Sequence, residues 1–190
     1  MFAELLSRLG AALDDAEIGY MVVGGQAVLV HGEPRLTRDI DLTIAGGQES
    51  VPGLLAVLAQ LGLRPLPIDP IGFAAETMVL PAVDDTSGIR VDLILSWTPF
   101  EREAIERAET VSLDGLAYRV ATAADLVVLK VLAGRPRDLE DVRGILIGNP
   151  DLDVRRIERW LRSFADVIDH AESPLTVFRA VLRSARGDLP

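Results

Sequence analysis

Hydrophobic and polar positions at the start of the chain alternate with the period of an amphipathic helix. The hydrophobic positions are Phe2, Leu5, Leu6, Leu9 and Leu13. They predict a helix over residues 2–15. The apolar run 20–23 then predicts a short strand that ends at a glycine pair. Residues 26–31 predict a short helix, which the following Gly-Glu-Pro stops.

The next part of the chain alternates between strand and helix patterns. Residues 38–44 predict a second strand, and residues 51–61 predict a helix that ends at a glycine. Two further strands are predicted over 73–80 and 88–96, with a polar turn between them. A helix start is expected at Thr98-Pro99, and a hairpin over 111–120 around Asp114-Gly115. This order predicts an α/β (α+β) fold, in which helices flank a mixed β-sheet.

From Thr122 onward the pattern is helical throughout. The predicted helices cover residues 126–133, 139–147, 153–168 and 175–186. The breaks between them carry Gly-Asn-Pro and Ser-Pro. We therefore expect an α/β core over residues 1–120 and a C-terminal helical region over residues 121–190.

Composition narrows the chemistry that this chain can perform. The 190 residues include no cysteine and two histidines. Disulfides, thiolate metal sites and cysteine nucleophiles are thus excluded, and any metal would be held by oxygen. No apolar run reaches the ~18 residues of a membrane span, so we expect a cytoplasmic protein without membrane contact. The net charge of −10 disfavours broad non-specific nucleic-acid binding.

Three aspartates lie within otherwise apolar strand patterns. Asp39 and Asp41 flank Ile40, and the alternation of a strand places both carboxylates on the same face. Asp92 lies in a later apolar strand, and the three carboxylates converge if the two strands are neighbours. Such a group needs a compensating cation, which a hard divalent metal such as Mg²⁺ supplies. This is the layout of a two-metal site for phosphoryl transfer.

The glycine pair points to the same chemistry. A strand that ends at Gly24-Gly25 and passes into a helix lets backbone N–H groups approach phosphate oxygens, where the helix dipole is also favourable. Gly-Gly alone is common. Its combination with Thr37-Arg38-Asp39-Ile40-Asp41 and a later strand aspartate is far more specific.

At these residues the sequence resembles the nucleotidyltransferase superfamily of DNA polymerase β, in the small bacterial branch of AbiEii- and MNT-type toxin–antitoxin proteins. The resemblance covers about residues 18–96. A looser likeness extends through 124–130 and 135–141, which look like the helix-borne lysine and the downstream Arg-x-Lys-Asp-x-x-Asp segment of that branch. In this chain the lysine of the downstream segment is replaced by Arg137.

The resemblance assigns roles to individual residues. It implies that Asp39 and Asp41 bind both metals, and that Asp92 binds one of them and helps to activate the acceptor hydroxyl. It implies that Gly24 and Gly25 cradle the triphosphate. Lys130 is the single lysine of the chain, and the resemblance implies that it reaches the nucleotide.

Two further residues are candidates for the nucleotide. Many members of the branch have Gly-Ser where this chain has Gly24-Gly25, so backbone N–H groups or Gln26 would replace the serine hydroxyl. Arg38 points to the face opposite Asp39, which favours a structural salt bridge, with nucleotide contact as the alternative. Asp138 and Asp141 share one helix face, and we expect them to pair with nearby arginines.

The function implied is a Mg²⁺- or Mn²⁺-dependent transfer of an NMP group from an NTP to a hydroxyl. The resemblance suggests an RNA 3′ end, notably of tRNA, or a protein hydroxyl as acceptor, and a cognate toxin or antitoxin as partner. A small-molecule acceptor such as an antibiotic is the alternative within the same chemistry. A non-catalytic nucleotide-binding or antitoxin-like module is the alternative outside it. Histidine-poor composition disfavours a phosphohydrolase.

Overall fold

The computed structural model describes residues 2–113, 115–165 and 172–187. The chain divides into two compact units. The first comprises Met1–Gln26 and Leu36–Ala121, and the second comprises Ala27–Arg35 and Thr122–Pro190. The boundary that the sequence predicts between residues 120 and 121 stays a prediction. None of the described helices combines the length and the apolar character needed to cross a bilayer.

The first unit contains a mixed sheet, which has seven strands in the described part of the chain. The strands are β1 (Tyr20–Val22), β2 (Asp39–Ile44), β3 (Arg64–Pro65), β4 (Val79–Val83), β5 (Arg90–Leu95), β6 (Glu109–Leu113) and β7 (Leu116–Val120). Their spatial order is β3-β4-β5-β2-β1-β7-β6. Strands β2 and β5 pair in parallel, as do β1 and β7, and the other neighbours are antiparallel.

Helices flank this sheet in sequence and in space. They are α1 (Phe2–Asp15), α3 (Val51–Leu61), α4 (Pro70–Thr77) and α5 (Pro99–Glu106). Helix α2 (Gly24–His31) begins in the first unit and continues into the second. The apolar face of α1 is buried, and this helix packs against α3 and β7. The mixed sheet with flanking helices confirms the predicted fold class.

The second unit is helical. Its further helices are α6 (Ala123–Ala133), α7 (Pro136–Gly148), α8 (Val154–Ala165) and α9 (Pro174–Ala185). Thr122 caps α6 by accepting a hydrogen bond from the Asp125 backbone N–H, as its position before an apolar run predicts. Helix α6 packs against α7, α8 and α9, and α7 also packs against α9.

One predicted element is wrong. The apolar stretch 73–80 was expected to form a strand, but residues 70–77 form α4 and the strand begins only at Val79. Pro70 occupies the first turn of α4, and the Asp69 carboxylate accepts the Gly72 backbone N–H. This cap and the proline favour a helix locally. Ala74 is buried and the next three residues, 75–77, are all exposed, which is not the alternation of a strand.

Two expectations fall partly outside the described residues. The predicted hairpin is present as β6 and β7, while Asp114 at its turn lies outside the described part. The predicted helix over 153–168 corresponds to α8, and residues 166–168 lie outside the described part of the chain.

Candidate active site

Strands β2 and β5 are direct neighbours, and their register brings the three strand aspartates together. Asp41 pairs with Asp92 across the two strands, and Asp39 pairs with Arg90. Residues paired in this way project to the same side of a sheet, and so do residues two apart on one strand. Asp39, Asp41 and Asp92 therefore share one face, which we call the acidic face.

Burial separates this face from the opposite one. The intervening residues of both strands are fully buried; they are Ile40, Leu42, Ile44, Val91, Leu93 and Leu95. Asp39 is exposed, whereas Asp41 and Asp92 are half-buried. The apolar side thus anchors β2 and β5 in the core, and their carboxylates remain accessible near the start of each strand.

Gly24 lies directly beside the acidic face. Strand β1 runs antiparallel to β2, and the Val23 backbone N–H donates to the Asp41 carbonyl at 2.9 Å. Gly24 follows at the start of α2 with φ +59°. A Cβ atom at this position would overlap the Asp41 carboxylate. Gly24 is therefore required both by its left-handed backbone and by the space that the carboxylate occupies.

Arg90 joins the acidic face as a fourth member. Its Nε donates to an Asp92 carboxylate oxygen at 2.9 Å, and half of its side chain is exposed. The hydrogen bond to Asp92, with the charges of Asp92, Asp39 and Asp41, holds the pKa of Arg90 above its ordinary value despite some burial. The sequence carried a signal for this residue, because strand alternation already places it on the same face as Asp92.

The donors of the acidic face suit a hard divalent cation. They are carboxylate oxygens on adjacent, in-register positions, which is the ligand chemistry of Mg²⁺ and Mn²⁺. The absence of a Cβ at Gly24 leaves room for the Asp41 carboxylate itself. As placed, however, no three acidic or histidine side chains of the described residues are gathered to hold a metal ion. Asp92 is engaged with Arg90 instead.

The remaining candidates of the first unit occupy different environments. Gly25 and Gln26 follow Gly24 in the first turn of α2, and both are buried. Arg38 is exposed immediately before β2. The salt bridge expected for Arg38 is absent among the described residues. Contacts of Gln26 and Arg38 with a nucleotide stay predictions.

Lys130 lies in the second unit, where it forms part of a buried ion network. Its ammonium group is 2.9 Å from Asp138 and 2.7 Å from Asp141. Arg135 pairs with Asp138 at 2.6 Å, as expected for neighbouring arginines. Burial would raise the pKa of Asp138, but the hydrogen bonds and charges of Arg135 and Lys130 hold it below its ordinary value.

Arg35 completes this network from a distant part of the sequence. Its guanidinium donates to both carboxylate oxygens of Asp141, at 2.9 and 3.0 Å. The two residues are 106 positions apart, and no local pattern could have paired them. Two of the three donor positions of the Lys130 ammonium serve these aspartates. Its predicted contact with a nucleotide stays a prediction.

Comparison with known proteins places these features in a family. A sequence profile described as "Nucleotidyltransferase of unknown function (DUF6036)" matches residues 1–173. Among curated proteins, none matches the sequence significantly.

Solved structures share the fold at low sequence identity. An antigenic nucleotidyltransferase-like protein from Paracoccidioides brasiliensis is 16% identical, with a TM-score of 0.58 over 98% of this chain and 89% of that one. The antibiotic-resistance factor ANT(2'')-Ia in solution is 18% identical, with a TM-score of 0.55 over 98% and 93% of the two chains. A crystal structure of ANT(2'')-Ia in complex with adenylyl-2''-tobramycin is also 18% identical, with a TM-score of 0.56 over 94% of this chain and 97% of that one. At these identities the likeness shows a common fold.

Proposed function

The chain belongs to the family of nucleotidyltransferases of unknown function (DUF6036), and from this premise we propose that it transfers an NMP group from an NTP to a hydroxyl group. The observation that carries the proposal is the acidic face beside Gly24. Three carboxylates occupy in-register positions of two parallel strands, and the missing side chain of Gly24 leaves room for the carboxylate of Asp41. A face built only for stability has no need of three adjacent like charges.

Each residue of the site has a proposed task. Asp39 and Asp41 would hold two divalent ions, Mg²⁺ or Mn²⁺, with Asp92 as a further ligand of one of them. When bound, such ions neutralise the negative charge that develops on the transferred and leaving oxygens. Backbone N–H groups of Gly24 and Gly25 at the start of α2 would cradle the triphosphate. Gln26, Arg38 and Lys130 are further proposed contacts of the nucleotide.

The proposed reaction is an in-line displacement at the α-phosphorus. The acceptor hydroxyl oxygen forms a bond to this phosphorus while the bond to the oxygen that bridges to the β-phosphate breaks. Pyrophosphate leaves with that oxygen. Asp92 accepts a hydrogen bond from the acceptor hydroxyl and takes its proton. The half-buried position of Asp92, one strand away from Asp41, suits this task.

For the acceptor, we propose an RNA 3′ end, notably of tRNA, or a protein hydroxyl, within a toxin–antitoxin system of the AbiEii type. Support comes from the two downstream segments that resemble this branch. Lys130 of the first segment pairs with both Asp138 and Asp141 of the second, as expected if the segments act together. A small-molecule acceptor such as an antibiotic is the alternative within the same reaction.

A non-catalytic nucleotide-binding or antitoxin-like module is a second candidate function. Two observations favour it: Gly25 stands where many relatives of the branch carry serine, and Asp92 is paired with Arg90. Such a module would gain thermal stability from NTP and Mg²⁺ without any transfer, and one that binds only protein would gain none.

The first test is label transfer from each α-labelled NTP with Mg²⁺ or Mn²⁺ to a mixture of cellular RNA and protein. We expect labelled product with wild type, and at least a hundredfold less with Asp39→Asn or Asp41→Asn, because each substitution removes charge from the acidic face. The nuclease or protease sensitivity of the product identifies the acceptor class. Asp15→Asn is the matched control, because Asp15 is an exposed aspartate at the end of α1.

The outcomes separate the candidates. Equal labelling by wild type and Asp41→Asn would contradict a catalytic acidic face. Absence of any labelled macromolecule, with a thermal shift by NTP and Mg²⁺, would leave the small-molecule transferase and the non-catalytic module. Purified antibiotics offered as acceptors would then distinguish these two.

A further inference from the structure

Arg90 stands at a position that a metal-binding face would normally leave to solvent. It is paired in register with Asp39 and lies two residues before Asp92 on the same strand. Three carboxylates and one guanidinium therefore occupy a block of two by two adjacent positions on one face of the sheet. Arg90 is the cation already built into this block.

We propose that Arg90 is the counter-cation of the acidic face, which occupies Asp92 in the metal-free protein and must give way when a divalent ion binds. Arg90 would thus set the metal affinity of the site. This inference rests on the proposed function, because it takes the acidic face to be a metal site. It goes beyond that function by assigning a role to a residue outside the ligand set.

In the metal-free protein, Arg90 engages one oxygen of the Asp92 carboxylate. The Arg90 Nε is 2.9 Å from an Asp92 carboxylate oxygen. This hydrogen bond engages one of the two carboxylate oxygens, Oδ1. It therefore competes with metal coordination through that oxygen and with bidentate coordination.

The exposure of the two side chains indicates that the ion pair between Arg90 and Asp92 is easily broken. The side chain of Arg90 is 50% exposed and that of Asp92 is 20% exposed. Exposed ion pairs are weak, and an arginine freed from one is readily hydrated. A divalent ion carries twice the charge of the guanidinium and attracts each carboxylate about twice as strongly at equal distance. A divalent ion can therefore displace Arg90 from Asp92 at a small cost in free energy.

The charge balance explains why the protein would carry such a residue. Without Arg90, the three carboxylates would repel one another in the metal-free protein, at the junction of two central strands. With Arg90, part of that repulsion is relieved at the cost of weaker metal binding. Arg90 therefore lowers the metal affinity of the acidic face and stabilises the metal-free fold.

The test is Mn²⁺ binding to the purified 190-residue chain in the absence of nucleotide. The electron paramagnetic resonance signal of free Mn²⁺ measures the binding. We expect Arg90→Gln to bind Mn²⁺ roughly three- to tenfold more tightly than wild type, because it removes both the competitor for Asp92 and a positive charge. Arg90→Lys keeps the charge with fewer donors and is expected to fall between the two. Asp41→Asn should bind more weakly than wild type.

Arg64→Gln is the matched control. Arg64 forms an exposed ion pair with Asp85 in the same unit, at 2.6 Å. Its substitution changes the net charge of the protein equally, and we expect Mn²⁺ affinity within about twofold of wild type. A second readout is thermal unfolding in a chelator, in which Arg90→Gln should melt below wild type and gain more from added Mn²⁺.

The results distinguish this inference from the proposed function. Equal or weaker Mn²⁺ binding by Arg90→Gln overturns the role of Arg90, and so does an equal gain in Arg64→Gln. Lack of Mn²⁺ binding by all variants overturns both the role and the metal site. Tighter binding by Arg90→Gln without label transfer by wild type to RNA, protein or purified antibiotics supports the counter-cation and rejects the transferase.

Discussion

Gly24 shows at the scale of one residue why a glycine is needed beside the acidic face. Its φ of +59° is a conformation that side chains disfavour. Its missing side chain also leaves room for the Asp41 carboxylate, which a Cβ would overlap. Gly62 has a similar φ of +70°, but a Cβ at Gly62 would meet nothing within 4 Å. The two glycines thus separate the backbone requirement from the requirement for space.

Gly24→Ala should therefore cost more than Gly62→Ala. Both substitutions carry a backbone strain of about 1–2 kcal/mol in the free energy of unfolding. Only Gly24→Ala also displaces Asp41, so we expect it to lower nucleotidyl transfer at least tenfold, while Gly62→Ala leaves the rate within about twofold. Urea denaturation and label transfer measure the two effects. Equal activity of the two variants would show that the space beside Asp41 does not matter.

At the scale of elements, α5 illustrates a helix whose start is determined locally. The Thr98 hydroxyl accepts the Glu101 backbone N–H, and the Glu101 carboxylate accepts the backbone N–H groups of Trp97 and Thr98. This capping box satisfies N–H groups that the first turn leaves without partners. Helix α5 packs near β1 and β2, so its start helps to hold the strand that carries Asp39 and Asp41.

Thr98→Ala is expected to lower the free energy of unfolding by about 1 kcal/mol, because it removes the hydroxyl of the cap. Thr98→Ser keeps the hydroxyl and should lose less than half of that. Equilibrium denaturation in urea compares the two. A loss of equal size in both variants would attribute the effect to the threonine methyl group instead of the capping bond.

At the scale of the whole molecule, one buried ion network consists of Lys130, Asp138, Asp141, Arg35 and Arg135. It joins the segment after α2 to α6 and α7 within the second unit. Lys130, Asp138 and Asp141 are each at most 7% exposed. Removing one member of a buried ion network leaves the others with an unbalanced charge, which is more costly than the pair is favourable.

The network predicts a pH dependence of stability. The pKa of Asp138 lies below its ordinary value in the folded chain. The ionised Asp138 carboxylate therefore contributes fully to the free energy of unfolding above about pH 4, the pKa of an aspartate in the unfolded chain. This contribution is lost as the pH falls through the lower pKa of the folded chain. Asp138→Asn should lower the free energy of unfolding by about 1–3 kcal/mol at pH 7. We expect this deficit to shrink below pH 4.

Urea denaturation at pH 7, 5, 4 and 3.5 checks this expectation. Asp85→Asn is the control, because Asp85 pairs with Arg64 on the surface and its pKa is likewise lowered, first by the hydrogen bond from Arg64. Its deficit should have the same pH dependence but a smaller size, since solvent screens an exposed pair. A deficit of Asp138→Asn that does not change with pH would rule out ionisation as its cause.

Much of this architecture follows from local signals. The helices α1 and α3 and the strands β2 and β5 were predicted close to their observed bounds, and so were the start of α5 and the cap of α6. Their apolar periods and capping residues act over a few positions. The stretch 73–80 was mispredicted because an apolar run is compatible with either element. A proline and an aspartate before it decided in favour of a helix.

The sequence by itself determined that Asp39 and Asp41 share one strand face, and that a glycine pair follows a strand, because strand alternation and glycine flexibility are local properties. Only the tertiary structure decided that β5 pairs with β2 and that Asp92 lies opposite Asp41. It alone joined Arg35 to Asp141 and Lys130 to two buried aspartates. The pairing of β2 with β5 and of Arg35 with Asp141 connects residues far apart in the chain, and the pairs of Lys130 join two successive helices. All of them depend on which strands and helices become neighbours when the core forms.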